Sequence, residues 1–168
     1  MTLAARRRSS VAPPVWYFAY GSNLAPGTFV GRRGLAPLEA YPGWIDDYAL
    51  RFDLPIGPGE RAVANLEALP GARTWGVAYR ISAADGLQLD RSEGVDRGFY
   101  ERLQATVRCP DNPVALAAFT YQSHVHVAGR KPSRRYLDII LDGARHHGLP
   151  REWIAYLEGL DLAIDERL

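Results

Sequence analysis

Apolar residues recur along this chain with two different spacings, and the change from one to the other predicts its elements. Val15 to Tyr20 is an unbroken apolar and aromatic run, which reads as a buried strand. It stops abruptly at Gly21-Ser22-Asn23. Gly21 can take backbone angles closed to other residues, while Ser22 and Asn23 can bond nearby backbone groups or cap a helix. A short, glycine-broken segment follows, Ala25 to Gly34. Residues 43–54 (GWIDDYALRFDL) are strand-like but alternate poorly. Residues 61–69 (RAVANLEAL) and 74–82 (TWGVAYRIS) are better strands, separated by the turn signal PGAR. Ser82 and Asp85 have capping-box spacing and predict a short helix over Ala83–Arg91.

From Leu103 the alternation is clean. Leu103, Ala105, Val107 and Cys109 face one way; Gln104, Thr106 and Arg108 face the other. PVALAAFTYQS (113–123) is a further strand. The period then lengthens. Leu137, Ile140, Leu141 and Ala144 form one helical stripe, with Ser133 as N-cap and Gly148 as stop. A second helix begins at Pro150 and places Trp153, Ile154, Leu157 and Leu160 on one face. Strands with close turns followed by helices predict a single α+β domain over residues 15–168. A curled sheet or small barrel fits that pattern, although periodicity does not show closure. Residues 1–14, polar and proline-rich with three arginines, read as a flexible tail, with a nucleic-acid arm as the less favoured alternative.

Composition narrows the function. The chain has 168 residues, a net charge of +1, and 47% hydrophobic and 23% charged residues. This balance carries no global field toward nucleic acid, an anionic membrane or acidic partners. No apolar run approaches the roughly 20 residues that cross a bilayer. One cysteine, Cys109, excludes an internal disulfide and a cysteine-based zinc cluster. The expected setting is cytoplasmic.

The candidate chemistry lies in two stretches. The strand-ending corner, WYFAYGSN (16–23), can aim several N–H groups at one spot, which suits a small anion or a carboxylate. LDRSEGVDRGFY (89–100) places Glu93 where the short helix should end, with Gly94 allowing a sharp exit. A carboxylate there can project into a cleft. Asp90 shares the helix face if the turn persists. Two acids fit general acid/base work, or one acid capping backbone and the other acting. His124 and His126 alternate along an extended stretch without a third ligand nearby, so they read as polar surface. His146 and His147, adjacent near a helix end, read as favourable C-terminal charges. The basic stretches GRRG (31–34) and GRKPSRR (129–135) read as solvated surface. No phosphate-binding glycine loop is present, so no nucleotide cofactor is inferred.

Taken together, YFAYGSNL (17–24), TWGVAYR (74–80), LDRSEGVDRGFY (89–100) and YLDIILDGARHHGLPREW (136–153) resemble the gamma-glutamylcyclotransferase family in order and spacing. The resemblance runs from about Tyr17 to Leu160. It implies a small mixed β-barrel flanked by helices, acting without metal or cofactor on a small gamma-glutamyl molecule, as a monomer or homodimer. The implied reaction closes a gamma-glutamyl amide into 5-oxoproline and releases an amine or amino acid. Residue by residue, Glu93 matches the family's catalytic glutamate. Tyr17, Phe18, Ala19, Tyr20, Gly21 and Ser22 match its substrate loop, and Tyr136 its substrate-contacting tyrosine; Asn23 and Leu24, next along the chain, are added as candidate substrate-binding residues. Tyr100 is added as a neighbour expected to hydrogen-bond near Glu93. An exposed Glu, with a pKa of about 4.3, removes an ammonium proton inefficiently. Glu93 is therefore expected to be largely buried, which raises its pKa. The pattern departs from animal relatives at Arg91 and Ser92. It departs again at DLPIGPGER (53–61), a candidate wall for the leaving-group side.

Overall fold

The computed structural model describes residues 11–164. The expected tail at 1–14 lies mostly outside them, and residues 11–14 are exposed and irregular. Five strands form a closed barrel: β1 (Val15–Ala19), β2 (Glu39–Pro55), β3 (Ala62–Ile81), β4 (Glu101–Cys109) and β5 (Asn112–Gln122). Their order is β1-β3-β2-β4-β5, closed by a parallel contact between Tyr17 and Phe119; the other pairings are antiparallel. Three helices complete the fold: α1 (Ala83–Ser92), α2 (Arg134–His146) and α3 (Arg151–Glu158). This is the mixed sheet with helices expected from the sequence. Among the described residues no helix is long and apolar enough to cross a membrane.

The largest departure from expectation is β3. PGAR does not end a strand; β3 runs through it and pairs with β2 along a long hairpin. The register breaks between Asp46 and Tyr48 of β2, where Asp47 takes a positive φ of 66°. Its carboxylate accepts the Gly71 N–H at 2.9 Å. The turn residues thus form a bulge in a bent strand, and bending lets one ribbon serve two parts of the barrel. The strand read at 43–54 also starts earlier, at Glu39, and the segment 25–34 contains a π-helical turn, Gly27–Arg32.

Both capping signals read from the sequence are present. The Asp85 N–H donates to Ser82 Oγ at 3.0 Å, and the Tyr136 N–H donates to Ser133 Oγ at 3.2 Å. α2 buries Leu137, Ile140, Leu141 and Ala144 against the barrel, each large side chain contributing roughly 1.5–3 kcal/mol. Its Gly143 sits directly on the turn after β1: a Cβ there would lie 2.4 Å from the Leu24 carbonyl carbon. Helix and turn are locked together at that point.

Candidate active site

β1 ends in a one-turn 3-10 helix, Ser22–Leu24, closed by the Leu24 N–H donating to the Gly21 carbonyl at 3.0 Å. The N–H groups of Gly21, Ser22 and Asn23 have no backbone acceptor among the described residues. Gly21 is closely approached: a Cβ would lie 3.2 Å from the Ala64 Cβ and 3.3 Å from the Tyr136 hydroxyl, crowding both. The corner therefore borders a cleft of about 320 Å³, open to solvent, with Tyr17, Tyr20, Ala64, Glu93, Tyr100, Tyr121 and Tyr136 on its other walls.

Glu93 is the C-cap of α1, and Gly94 (φ 69°) turns the chain away behind it. Its side chain is 13% exposed, as buried as expected. It is not, however, an isolated acid. Asn23 Nδ2 donates to Glu93 Oε1 at 3.0 Å, and Arg33 Nη2 lies 3.0 Å from the same oxygen. Arg33 Nε also donates to Asn23 Oδ1 at 2.6 Å, so the three side chains form one closed network. Asn23 Nδ2 donates further to the Tyr17 hydroxyl at 2.9 Å. Oε1 is thus fully engaged, while Oε2 has no partner among the described residues. Held at one oxygen, the carboxylate presents the other.

Arg33 is the residue that sequence reading missed. GRRG was read as solvated surface, yet the Arg33 side chain is only 20% exposed and points inward. Asn23, added to the substrate loop as a candidate, borders the cleft but commits its amide to Glu93 and the Tyr17 hydroxyl. Phe18, Ala19 and Leu24 of that stretch are fully buried in the core and do not line the cleft. Ala64 and Tyr121 line it without having been singled out. No local signal marks them; they arrive by tertiary pairing.

The tyrosine walls are tied to backbone. The Tyr100 hydroxyl donates to the Ala64 carbonyl at 2.7 Å, and the Tyr136 hydroxyl accepts the Ala64 N–H at 3.0 Å. The β3 edge at Ala64 is thereby satisfied by two phenols. Tyr20 donates to the Tyr121 carbonyl at 2.6 Å. Asp90 does not join Glu93 in the cleft. It accepts from Tyr121 Oη at 2.6 Å and Arg102 Nε at 2.8 Å, and so fixes a wall residue. Burial pushes the phenol of Tyr136 up to about 12, and those of Tyr17, Tyr20, Tyr100 and Tyr121 well above the usual range. Each stays protonated near neutral pH, and Glu93 is the one carboxylate among the residues lining this cleft.

The histidines lie elsewhere. His124 Nε2 pairs with Glu101 and His126 Nδ1 with Asp53, each at 2.7 Å. His147 is not a solvated helix-end charge: its Nε2 meets the Tyr79 hydroxyl at 3.0 Å, and burial holds its pKa down.

The AIG2-like family matches residues 73–157 of the 168. The chain is 28% identical over 158 residues to a gamma-glutamylcyclotransferase of Bos taurus, covering 92% of this chain and 82% of that one. It is 29% identical over 166 residues to the gamma-glutamyl cyclotransferase aclK of Aspergillus oryzae, covering 85% and 60% respectively. Among solved structures, a gamma-glutamyl cyclotransferase superposes with a TM-score of 0.81 at 25% identity, over 92% of each chain. By sequence match and by fold, the chain belongs to the AIG2-like, gamma-glutamylcyclotransferase family.

Proposed function

We propose that the protein cyclises a gamma-glutamyl amide to 5-oxoproline, releasing an amino acid or amine, with Glu93 as general base and then acid. The observation that carries this reading is the half-held carboxylate: Oε1 fixed by Asn23 and Arg33, and Oε2 free in a cleft bordered by unpaired N–H groups. The substrate's α-ammonium is attracted to Glu93, and Oε2 takes one of its protons. The neutral amine attacks the γ-carbonyl carbon of the same molecule, forming a C–N bond and a tetrahedral oxyanion. Collapse breaks the original amide C–N bond. Glu93 gives its proton to the departing nitrogen and takes the second proton that the attacking nitrogen sheds to become the lactam N–H; that proton leaves with the released amine as its ammonium, and Glu93 returns to its starting carboxylate.

The N–H groups of Gly21, Ser22 and Asn23 supply donors for the substrate α-carboxylate or the oxyanion. Ring closure is intramolecular, so the remaining task is to hold the bent conformer in which amine and carbonyl meet. Five neutral tyrosines shape the walls for that purpose without competing for the proton.

The test is a panel of gamma-glutamyl compounds with product mass detection, run on the wild type and Glu93→Gln. The expected result is 5-oxoproline from the wild type and none from Glu93→Gln, with substrate still bound. Binding without turnover by the wild type would instead mark a non-catalytic carboxylate-binding module, and free glutamate as product would mark hydrolysis.

A further inference from the structure

A second hollow opens beside the cleft, enclosing about 1070 Å³ of space continuous with solvent. Glu93 and Tyr100 stand in the walls of both. The rest of the groove is mainly Leu54, Pro55, Ile56, Val63, Phe99 and Val125. Three of these are open to solvent: Ile56 is 46% exposed, Phe99 55% and Val125 48%. Single exposed apolar residues are ordinary on a surface, but three converging on one groove next to a reactive carboxylate indicate something that covers them.

The groove is a built surface. Phe99 is fixed by its N–H donating to the Gly94 carbonyl at 3.1 Å, Ile56 by its N–H to Arg61 at 3.0 Å, and Val125 by its N–H to Ser123 Oγ at 3.2 Å. Apart from Glu93, the charged side chain on its wall is Arg97, whose guanidinium lies 5.2 Å over the Phe99 ring. The groove is therefore apolar with a cationic margin.

Resting on the cyclotransferase reading, we infer that this groove receives the group released in the reaction and selects gamma-glutamyl conjugates of bulky apolar amino acids. The glutamyl half engages Glu93 and the amide corner, so the bond that breaks lies beside Glu93. The atoms beyond that bond run away from the corner, and the wall they meet past Glu93 and Tyr100 is this groove. A glycine leaving group leaves the groove wet. A phenylalanine or leucine side chain covers Ile56, Phe99 and Val125, while its carboxylate tolerates Arg97. A cationic amine meets that arginine unfavourably.

The experiment compares kcat/KM for gamma-glutamyl-phenylalanine, -leucine, -glycine and -putrescine, with the wild type and the surface variants Phe99→Ser and Val125→Ser. Phenylalanine and leucine conjugates are expected to exceed glycine by roughly 10- to 100-fold, the worth of covering a large apolar side chain, with putrescine lowest. Each variant is expected to shrink that ratio by lowering kcat/KM for the phenylalanine and leucine conjugates more than for gamma-glutamyl-glycine. A flat panel with turnover intact, or a variant that lowers every substrate equally, overturns the groove assignment and leaves the cyclotransferase reading standing. No 5-oxoproline from any compound overturns the cyclotransferase reading itself, and this inference with it.

Discussion

Replacing Arg33 by methionine removes one guanidinium from beside the Glu93 carboxylate and keeps most of the side-chain volume. Two unit charges 3.0 Å apart attract by about 5.5 kcal/mol at an effective dielectric near 20. The pair is only 20% and 13% exposed, so much of this attraction is offset by the cost of desolvating both ions. The Nε bond to Asn23 at 2.6 Å is lost as well, and with it the restraint on the second group holding Oε1. A net loss of roughly 1.5–3 kcal/mol in orienting Glu93 is the reasonable balance. In kcat/KM this is a fall of roughly 10- to 150-fold. Steady-state 5-oxoproline release is the assay, with a thermal melt to establish that the variant folds. Arg33→Lys restores the charge without the planar fork that reaches Asn23 and Glu93 together, so it should recover only part of the loss. A folded Arg33→Met with wild-type kcat/KM would refute the claim that Arg33 positions the acid.

Two further outcomes follow from packing and titration. Gly143→Ala puts a Cβ 2.4 Å from the Leu24 carbonyl carbon and 2.5 Å from the Ala25 nitrogen, atoms that cannot step aside. The expected cost is about 1–3 kcal/mol, seen as a melting temperature lower by roughly 3–10 °C; an unchanged melt would mean the helix does not rest on this turn. His147 is held below its ordinary pKa by burial, and His146 beside it acts in the same direction while a bond to Leu24 backbone opposes them. The unfolded chain therefore binds a proton more readily than the folded one. The stability from neutral His147 is present above about pH 6.5 and is lost as pH falls through its lower folded value. Melts from pH 7.5 to 5 should show that decline in the wild type and a shallower one in His147→Gln. Parallel curves would remove His147 as its source.

Local patterns foretold local structure. Ser82 and Ser133 cap helices because a hydroxyl one turn from an orphan N–H needs no help from the rest of the chain. The alternation at 103–109 was legible because one face of β4 meets the core and the other meets water. Where a strand is buried on both faces, that contrast disappears. Tyr17 and Tyr20, which line the cleft, are buried like Phe18 and Ala19 of the core, so an unbroken apolar and aromatic run does not sort the cleft wall from the core. PGAR carried a turn signal, and only its pairing with the bulge at Asp47 made it a bend inside β3.

By itself the sequence determined the α+β pattern, the N-caps of two helices and the two stretches that meet at the cleft, because spacing and residue type act over a few neighbours. Tertiary structure alone decided how the acid is held. Asn23 and Glu93 stand 70 residues apart and meet only when the barrel closes. Arg33 reads as surface in its own neighbourhood and becomes the partner of Glu93 because that closure takes both charges out of water, where each needs the other.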